Sequence, residues 1–473
     1  MIDFESGYTM TIDGRAAAGD GVTEVINPAT GQVFAHAPRA TAADVEAAVA
    51  AATRVQPAWA AQPLEERRRL LIEASRVLEA HAEPLGHLFT REQGRPLALA
   101  TQEVQFAGYW LRAIAKLDLP VEVPEDNDRR RAEVHHVPLG VICAIVPWNF
   151  PVLLAFWKIA PALLAGNAMV LKPSPYTPLC MLKIGELLRD LLPAGVLNIV
   201  SGGDELGPML TAHPGFAKIS FTGSTATGKR VMASAAQDLK RITLELGGND
   251  AAIILPDVDV EAIAEQLFHA AFYNSAQVCV ATKRMYIHED IYDAVRDKLY
   301  ALAQQAVVGD GADQGTRFGP IQNAPQFERV RALIADAEAA GLTLLRGRAV
   351  PDQGYFIPIT LVDNPPEDAR VVTEEAFGPV LPLLRFNDLD DVIARANRSE
   401  YGLSGAVWTQ DIAQGVAIAK RMETGTIWIN QIVQNSPFVP FAGAKQSGMG
   451  VENGLAGLLE FTQPRTIYIP KAA

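Results

Sequence analysis

The chain reads as an α/β protein built from two doubly wound, Rossmann-like α/β domains with a small β element beside them. Three observations lead there. From Val141 to Gly248, short apolar runs alternate with helical stretches in a strand–helix–strand–helix order, the signature of a parallel sheet covered on both faces. After a break at Gly247-Gly248 the alternation resumes and runs to Asn430. With 473 residues, 49% hydrophobic and 20% charged, the chain has apolar surface for about two to four domains and no disordered composition.

The elements follow in order. Residues 1–40 carry turn chemistry at Ile12-Asp-Gly14 and Asn27-Pro-Ala-Thr-Gly31 and suit short strands. Thr41-Ala-Ala-Asp-Val-Glu predicts a helix N-cap, followed by Ala-rich helical periodicity. A second helix is expected from Pro63, with Leu70, Leu71, Ala74, Val77 and Leu78 on one face. A third carries Phe106, Tyr109, Trp110 and Ile114, a stripe that fits core packing or a substrate wall. The Pro- and acid-rich stretch Leu117–Asp128 reads as an excursion, and Glu133-Val-His-His-Val-Pro as an edge strand.

Val141–Val146 is a continuous apolar run ending in Pro147-Trp-Asn-Phe-Pro151, which suits a buried parallel strand with a loop at its carboxyl end. Helices over Ala155–Ala165 and Pro178–Leu191 alternate with strands at Ala168–Leu171, Val196–Val200, Lys218–Phe221 and Arg241–Leu246. Ligands of such sheets sit at the carboxyl ends of strands, and those ends carry Asn149, Lys172, Gly203 and Ser224. Beyond Gly248 come helices at Val260–Phe272, Ile291–Val307, Pro325–Ala340, Leu389–Asn397 and Gln410–Arg421. Strands are expected at Arg284–His288, Gly405–Trp408 and Thr426–Asn430. The tail from Thr462 to Ile469 reads as a terminal strand in need of a sheet edge, which another subunit could supply.

Composition excludes several functions. The net charge of −13 disfavours a polyanion partner, so no nucleic acid is expected. The triplets Arg67-Arg68-Arg69 and Arg129-Arg130-Arg131 are flanked by acids and read as solvated faces. Three widely spaced cysteines, Cys143, Cys180 and Cys279, suggest neither a disulfide framework nor a metal site. The N-terminus lacks a signal-peptide pattern, and the apolar stretch Val137–Leu171 is broken by prolines and Lys158. The expectation is a cytoplasmic protein with no membrane partner.

Four positions carry possible chemistry. Cys279, among small and apolar neighbours before a strand, is a candidate nucleophile; a buried structural thiol is the alternative. Glu245, at the end of an apolar strand beside two glycines, is a candidate base, since burial there raises a carboxyl pKa. Asn149, in a Pro-bracketed loop, can donate to an oxyanion or simply form the turn. Thr222-Gly-Ser-Thr-Ala-Thr-Gly228 follows a strand and opens a helix, so it suits a phosphate or is a structural turn. It is not a P-loop, because Arg230 stands where the metal-binding hydroxyl belongs.

Seven segments tie these positions together: Pro147-Trp-Asn-Phe-Pro, Leu171-Lys-Pro-Ser, Phe221-Thr-Gly-Ser, Leu244-Glu-Leu-Gly-Gly, Gln277-Val-Cys279, Glu374-Glu-Ala-Phe-Gly-Pro-Val380 and Pro440-Phe-Ala-Gly-Ala-Lys-Gln-Ser-Gly448. In order and approximate spacing they resemble the aldehyde dehydrogenase superfamily from Asn27 to Phe461. The resemblance implies NAD(P)-dependent oxidation of an aldehyde to a carboxylic acid through a cysteine thiohemiacetal and thioester. It implies Cys279 as nucleophile, Glu245 as the base that activates water, and Asn149 as oxyanion donor. For the cofactor it implies Lys172, Ser174, Gly223, Ser224, Glu375 and Phe377, with Trp148 a looser match. It further implies a dinucleotide-binding domain over 1–119 and 139–247, a catalytic domain over 248–450, and an oligomerisation element over 120–138 and 458–473, hence a homodimer or homotetramer.

Three positions depart from the family pattern. Ala276 replaces the usual Gly of Gly-Gln-x-Cys, and Ala442 replaces the first Gly of Pro-Phe-Gly-Gly. Pro175 stands where members restricted to NAD often carry Glu, so NAD is the expected cofactor with NADP left open. The tunnel is expected from Phe150, Trp157, Val278, Val280, Val433 and Phe438, without Arg or Lys among them. That wall suits a medium-sized apolar or aromatic aldehyde. Two alternatives stand beside this reading: a CoA-acylating semialdehyde dehydrogenase, whose relatives lack the water-activating Glu, and a non-catalytic binding protein on the same fold.

Overall fold

The computed structural model describes residues 2–471. Its first sheet has eight strands. Five parallel strands form its centre, in spatial order Leu197–Ile199, Ala168–Lys172, Val141–Ile145, Lys218–Thr222 and Arg241–Glu245. The order reverses between Val141–Ile145 and Lys218–Thr222. This is the switch point at which doubly wound sheets open a ligand crevice. Antiparallel strands Met10–Ile12 and Arg15–Ala17 extend one edge, and Gly448–Met449 the other.

A second sheet of seven strands runs Thr343–Arg346, Thr360–Asp363, Val380–Phe386, Arg284–His288, Ala251–Ile254, Ser404–Trp408 and Thr426–Ile429, parallel except for its first pair. Both sheets are hydrophobic on both faces. The strands Val141–Ile145, Ala168–Lys172, Ala251–Ile254 and Ser404–Trp408 are almost wholly buried, as parallel strands covered by helices must be. Among the described residues no helix is long and apolar enough to cross a membrane.

Local signals at Thr41 and Pro63 mark two helix starts. Thr41 caps the helix Ala42–Ala60 through a reciprocal box: Asp44 N–H donates to Thr41 Oγ1 at 3.1 Å, and Thr41 N–H donates to the Asp44 carboxylate at 2.8 Å. Helices at Leu64–Ala80, Leu97–Ile114, Pro151–Leu164, Leu179–Leu188, Val260–Phe272 and Ile412–Ala419 stand close to their expected places.

The structure departs from five expectations. Residues Arg130–Pro138 form the middle strand of a three-stranded sheet, not an edge. Thr462–Pro470 pairs with it antiparallel over nine residues, and Val121–Asp126 lies on its other side. The terminal strand therefore finds its sheet within its own chain, a partner more than 300 residues away that no local pattern reveals. A helix at Ala82–Gln93 was not expected; only His81 separates it from the helix before, so no loop punctuation marks its start. The strand Ala251–Ile254 was also missed, being four residues long beside the break at Gly248. Lastly, Arg67 is buried, not solvated. Its guanidinium donates to the carbonyls of Leu164 (2.9 Å), Ala60 (3.1 Å) and Gln62 (2.5 Å), which are carbonyls left unpaired where helices end.

Candidate active site

Cys279 lies in the turn before the strand Arg284–His288 and is half-buried. The turn is entered through three consecutive left-handed residues, Asn274 (φ 51°), Ser275 (φ 55°) and Ala276 (φ 61°). Such backbone persists only where its surroundings hold it. Ser275 Oγ donates to Gly319 O at 2.7 Å, and the Gln277 amide bridges Asn274 O (3.1 Å), Pro320 O (3.2 Å) and the Gln322 N–H (2.8 Å). The segment Gly319–Gln322 thus clamps the Cys279 turn. Burial pushes the Cys279 thiol up to about 12; Lys283 pulls it down, while Asp250, Glu245 and Glu375 push it further up.

Glu245 ends the strand Arg241–Glu245, buried, and neither carboxylate oxygen has a hydrogen-bond partner among the described residues. Burial holds its pKa well above the ordinary carboxylate range, the nearby Glu452 adds to the rise, and Lys158 opposes it. A buried acid left without partners in a cavity wall is poised to take a proton. Lys158 and Glu452 form a buried ion pair, and Ser220 Oγ lies 3.4 Å from Glu452. Sequence reasoning missed this pair. Its one local signal was a lysine inside the otherwise apolar helix Pro151–Leu164, which requires a buried partner.

Asn149 is buried in the loop after the strand Val141–Ile145. Its amide donates one N–H to Gln277 O at 3.0 Å, and the second N–H remains for an oxyanion. The loop is fixed from below by a buried Arg95–Glu103 pair. Arg95 also donates to Asn149 O and stacks 4.5 Å from the Phe150 ring, while Glu103 accepts the N–H groups of Val152 (3.1 Å) and Leu153 (3.0 Å) at the start of the next helix.

Two cavities meet at Cys279. One, of about 690 Å³, is lined by Trp148, Asn149, Gly223, Ser224, Gly247, Glu375, Phe377 and Cys279. Ser224 caps the helix Thr225–Ala235, accepting the Thr227 N–H at 3.3 Å. A Cβ at Gly223 would come within 2.5 Å of the Phe221 ring, so the backbone stays bare at this helix start, as a phosphate cradle requires. Phe377 meets Trp148 edge-on at 5.4 Å. Glu375 accepts the Gly248 N–H at 3.1 Å, and burial raises its pKa. Lys172 and Ser174 do not line this cavity. They lie buried at the end of the adjacent strand Ala168–Lys172, where burial lowers the Lys172 amine to about 8. Its one hydrogen bond is a long one, 3.4 Å to Pro173 O. A buried amine without a carboxylate partner fits a site that a cofactor hydroxyl completes.

The other cavity, of about 800 Å³, is lined by Cys279 and Glu245 and walled by Phe106, Phe150, Trp157, Tyr273, Val278, Val280, Val433 and Phe441. Five of the six tunnel residues expected from the sequence are among its lining. Phe438 is not; it is 48% exposed. Phe150 stacks on Tyr273, and Trp157 is held between Trp110 and Phe441. The stripe Phe106–Ile114 divides: Trp110 and Ile114 are core, Phe106 faces the cavity and Tyr109 is exposed. Among the described residues no Arg or Lys lines this cavity.

Known proteins share this sequence pattern and this fold. The family model described as "Aldehyde dehydrogenase family" matches residues 15–467. Phenylacetaldehyde dehydrogenase of Pseudomonas fluorescens is 40% identical, covering 98% of this chain and 96% of its own. Betaine aldehyde dehydrogenase of Rhizobium leguminosarum bv. trifolii is 40% identical, with 95% and 94% covered. The NAD+ complex of aldehyde dehydrogenase from Bacillus cereus superposes with a TM-score of 0.95 at 34% identity, covering 99% of this chain and 97% of that one. With its fold and nearly its whole length in agreement, the chain belongs to the aldehyde dehydrogenase family and is an NAD(P)-dependent aldehyde dehydrogenase.

Proposed function

We propose that the enzyme oxidises a medium-sized apolar or aromatic aldehyde to its carboxylic acid, with NAD as the preferred cofactor. The observation that carries this reading is that Cys279 sits where an aromatic-walled cavity meets a cleft with a bare helix start and a ribose-type carboxylate. The Cys279 thiolate attacks the aldehyde carbon. The free N–H of Asn149, with the Cys279 backbone N–H, takes the negative oxygen; one such donor is typically worth about 3–4 kcal/mol. Lys172, Ser174, Ser224, Gly223, Glu375, Phe377 and Trp148 hold the dinucleotide, which when bound supplies a hydride acceptor. Glu245 then takes a proton from water attacking the Cys279 thioester, and the acid is released.

Glu245 supports hydrolysis over acyl transfer to CoA, because its carboxylate is unpartnered within the substrate cavity. The preference for NAD rests on charge. Pro175 supplies no carboxylate, but the charges of Asp204 and Glu205 reach Lys172, and acids near a ribose favour its hydroxyl over a 2′-phosphate. Dinucleotide binding is assigned to 1–119 and 139–247 and catalysis to 248–450. Residues 120–138 and 458–473 would join subunits into a homodimer or homotetramer, since Ile467, Tyr468 and Ile469 are exposed on an edge strand.

The test is absorbance at 340 nm with benzaldehyde, hexanal and succinic semialdehyde, each with NAD and NADP, with and without CoA. The expected kcat/KM favours benzaldehyde or hexanal with NAD and is indifferent to CoA. A preference for succinic semialdehyde would overturn the substrate class, and dependence on CoA would overturn hydrolysis.

A further inference from the structure

Lys283 was assigned nothing by the sequence motifs, yet it is buried beside the nucleophile. Four residues after Cys279, its side chain folds back on its own turn. Nζ donates to Cys279 O at 2.5 Å and to Ala281 O at 3.4 Å, and lies 3.6 Å from Glu375 Oε1. Its backbone N–H is anchored on Asp250 O at 2.9 Å. The next residue, Arg284, turns away to the carbonyls of Asn249 and Ala396 and to the Tyr286 hydroxyl. Lys283 therefore reaches two places at once: the backbone that carries the nucleophile and the carboxylate lining the cofactor cleft.

The surroundings make that charge consequential. The ionisable groups acting on Cys279 are Lys283, Asp250, Glu245 and Glu375, one cation against three acids. Asp250 is itself buried and bonded to the Ser404 hydroxyl and N–H. Glu375 faces Lys283, Arg329 and Tyr401, and Glu245 faces Glu452 and Lys158. A thiolate forming in this pocket is opposed by burial and by the carboxyl groups of Asp250, Glu245 and Glu375 once these ionise, with Lys283 acting in its favour.

We propose that Lys283 is a positioning residue of the reaction: its ammonium, braced between the Cys279 carbonyl and the Glu375 carboxylate, supplies the positive charge that the Cys279 thiolate requires. The inference rests on Cys279 being the nucleophile. Because the thiol is held far above neutrality, the thiolate is scarce, and its population rises in direct proportion to the acidity of the thiol. An opposite charge within about 4–6 Å favours the charged form by about ten- to a thousandfold. Part of that change in rate is offset, because a more basic thiolate is more nucleophilic.

The experiment is alkylation of the full-length enzyme by iodoacetamide across pH 7–10 without cofactor, the labelled cysteine being identified by peptide mass. Lys283→Met is expected to slow labelling of Cys279 about three- to tenfold at pH 8, and Lys283→Arg to restore it to near the native rate. Glu375→Gln should act in the opposite direction and speed labelling, which a general loosening of the turn would not pair with slowing by Lys283→Met. Native labelling rates in Lys283→Met overturn the proposal. If Lys283→Met does not fold, an unchanged or slower rate in Glu375→Gln overturns it. Turnover that survives Cys279→Ala would instead remove the nucleophile assignment itself, and this inference with it.

Discussion

Ala276 occupies a position where the backbone asks for glycine. Its φ of 61° lies in the left-handed region, which strains a residue bearing a Cβ by about 1–2 kcal/mol. Ala276→Gly relieves that strain. Against the relief stand two losses: the wider freedom of glycine in the unfolded chain, about 0.4–1 kcal/mol, and the burial of one methyl group, about 0.8 kcal/mol. Ala276 is 7% exposed, so the methyl term applies nearly in full. The three terms cancel to within about 1 kcal/mol, and Ala276→Gly should leave stability almost unchanged.

Ala281 is the control. It is fully buried in the same turn and has no positive φ, so Ala281→Gly incurs both losses without the relief, roughly 1.5 kcal/mol. Unfolding entropy of about 2.1 cal/mol/K per residue makes that difference worth about 1–2 °C in Tm for a chain of this length unfolding as a unit. Calorimetry on the native protein and both variants, at one scan rate and one protein concentration, resolves it. Equal loss of Tm in Ala276→Gly and Ala281→Gly would refute the claim that strain resides at position 276. Turnover should persist in Ala276→Gly, because the bonds from Gly319–Gln322 to Ser275 and Gln277 do not involve Ala276.

Two other outcomes follow from the buried acids. Glu245→Gln should keep a burst of one reduced cofactor per active site in stopped flow but slow steady-state turnover by about 10²–10⁴; undiminished steady-state turnover would remove Glu245 as the base. Glu92 is fully buried, accepts the N–H groups of Leu179 (2.7 Å) and Cys180 (2.9 Å), and is raised by burial from 4.5 to about 7. The folded chain therefore keeps this proton to higher pH than the unfolded chain, so stability falls as pH rises from 4.5 through 7. Relative to Glu92→Gln, the native protein should gain about 1 kcal/mol between pH 8 and pH 6. A Tm difference between the two that does not vary with pH would refute it.

What was legible in the sequence was what chain-local patterns encode. Strand–helix alternation foretold both sheets, and Thr41 with Asp44 foretold a cap that is present. Asn149 and Glu245 stand at the carboxyl ends of strands of the first sheet, where a doubly wound sheet opens its crevice, and Cys279, in the turn before a strand of the second sheet, lines a cavity with each of them. What was not legible depends on partners far along the chain. Arg67 looks like a surface charge until the unpaired carbonyls of two helix ends surround it. Glu452 becomes part of the site only because Lys158, 294 residues before it, needs a counter-ion. Phe438 shares the apolar character of the tunnel residues, but character does not say which way a loop faces.

On the proposed reading, the wall that selects the aldehyde also sets the chemistry's difficulty. An apolar lining without Arg or Lys disfavours an acidic substrate, and the same lining strips water from Cys279 and Glu245, so burial is the largest cause of the rise in both. Substrate choice and proton affinity are therefore coupled. Both groups must lose a proton, so the rate should climb with pH above neutrality. A polar substitution in the wall that admits water would lower both pKa values and weaken selection for apolar aldehydes together. Lys283 offers a way around this coupling. Its charge is anchored on the Cys279 carbonyl, and Lys283 is not among the residues that line the substrate cavity, so it favours the thiolate without changing the surface the aldehyde meets.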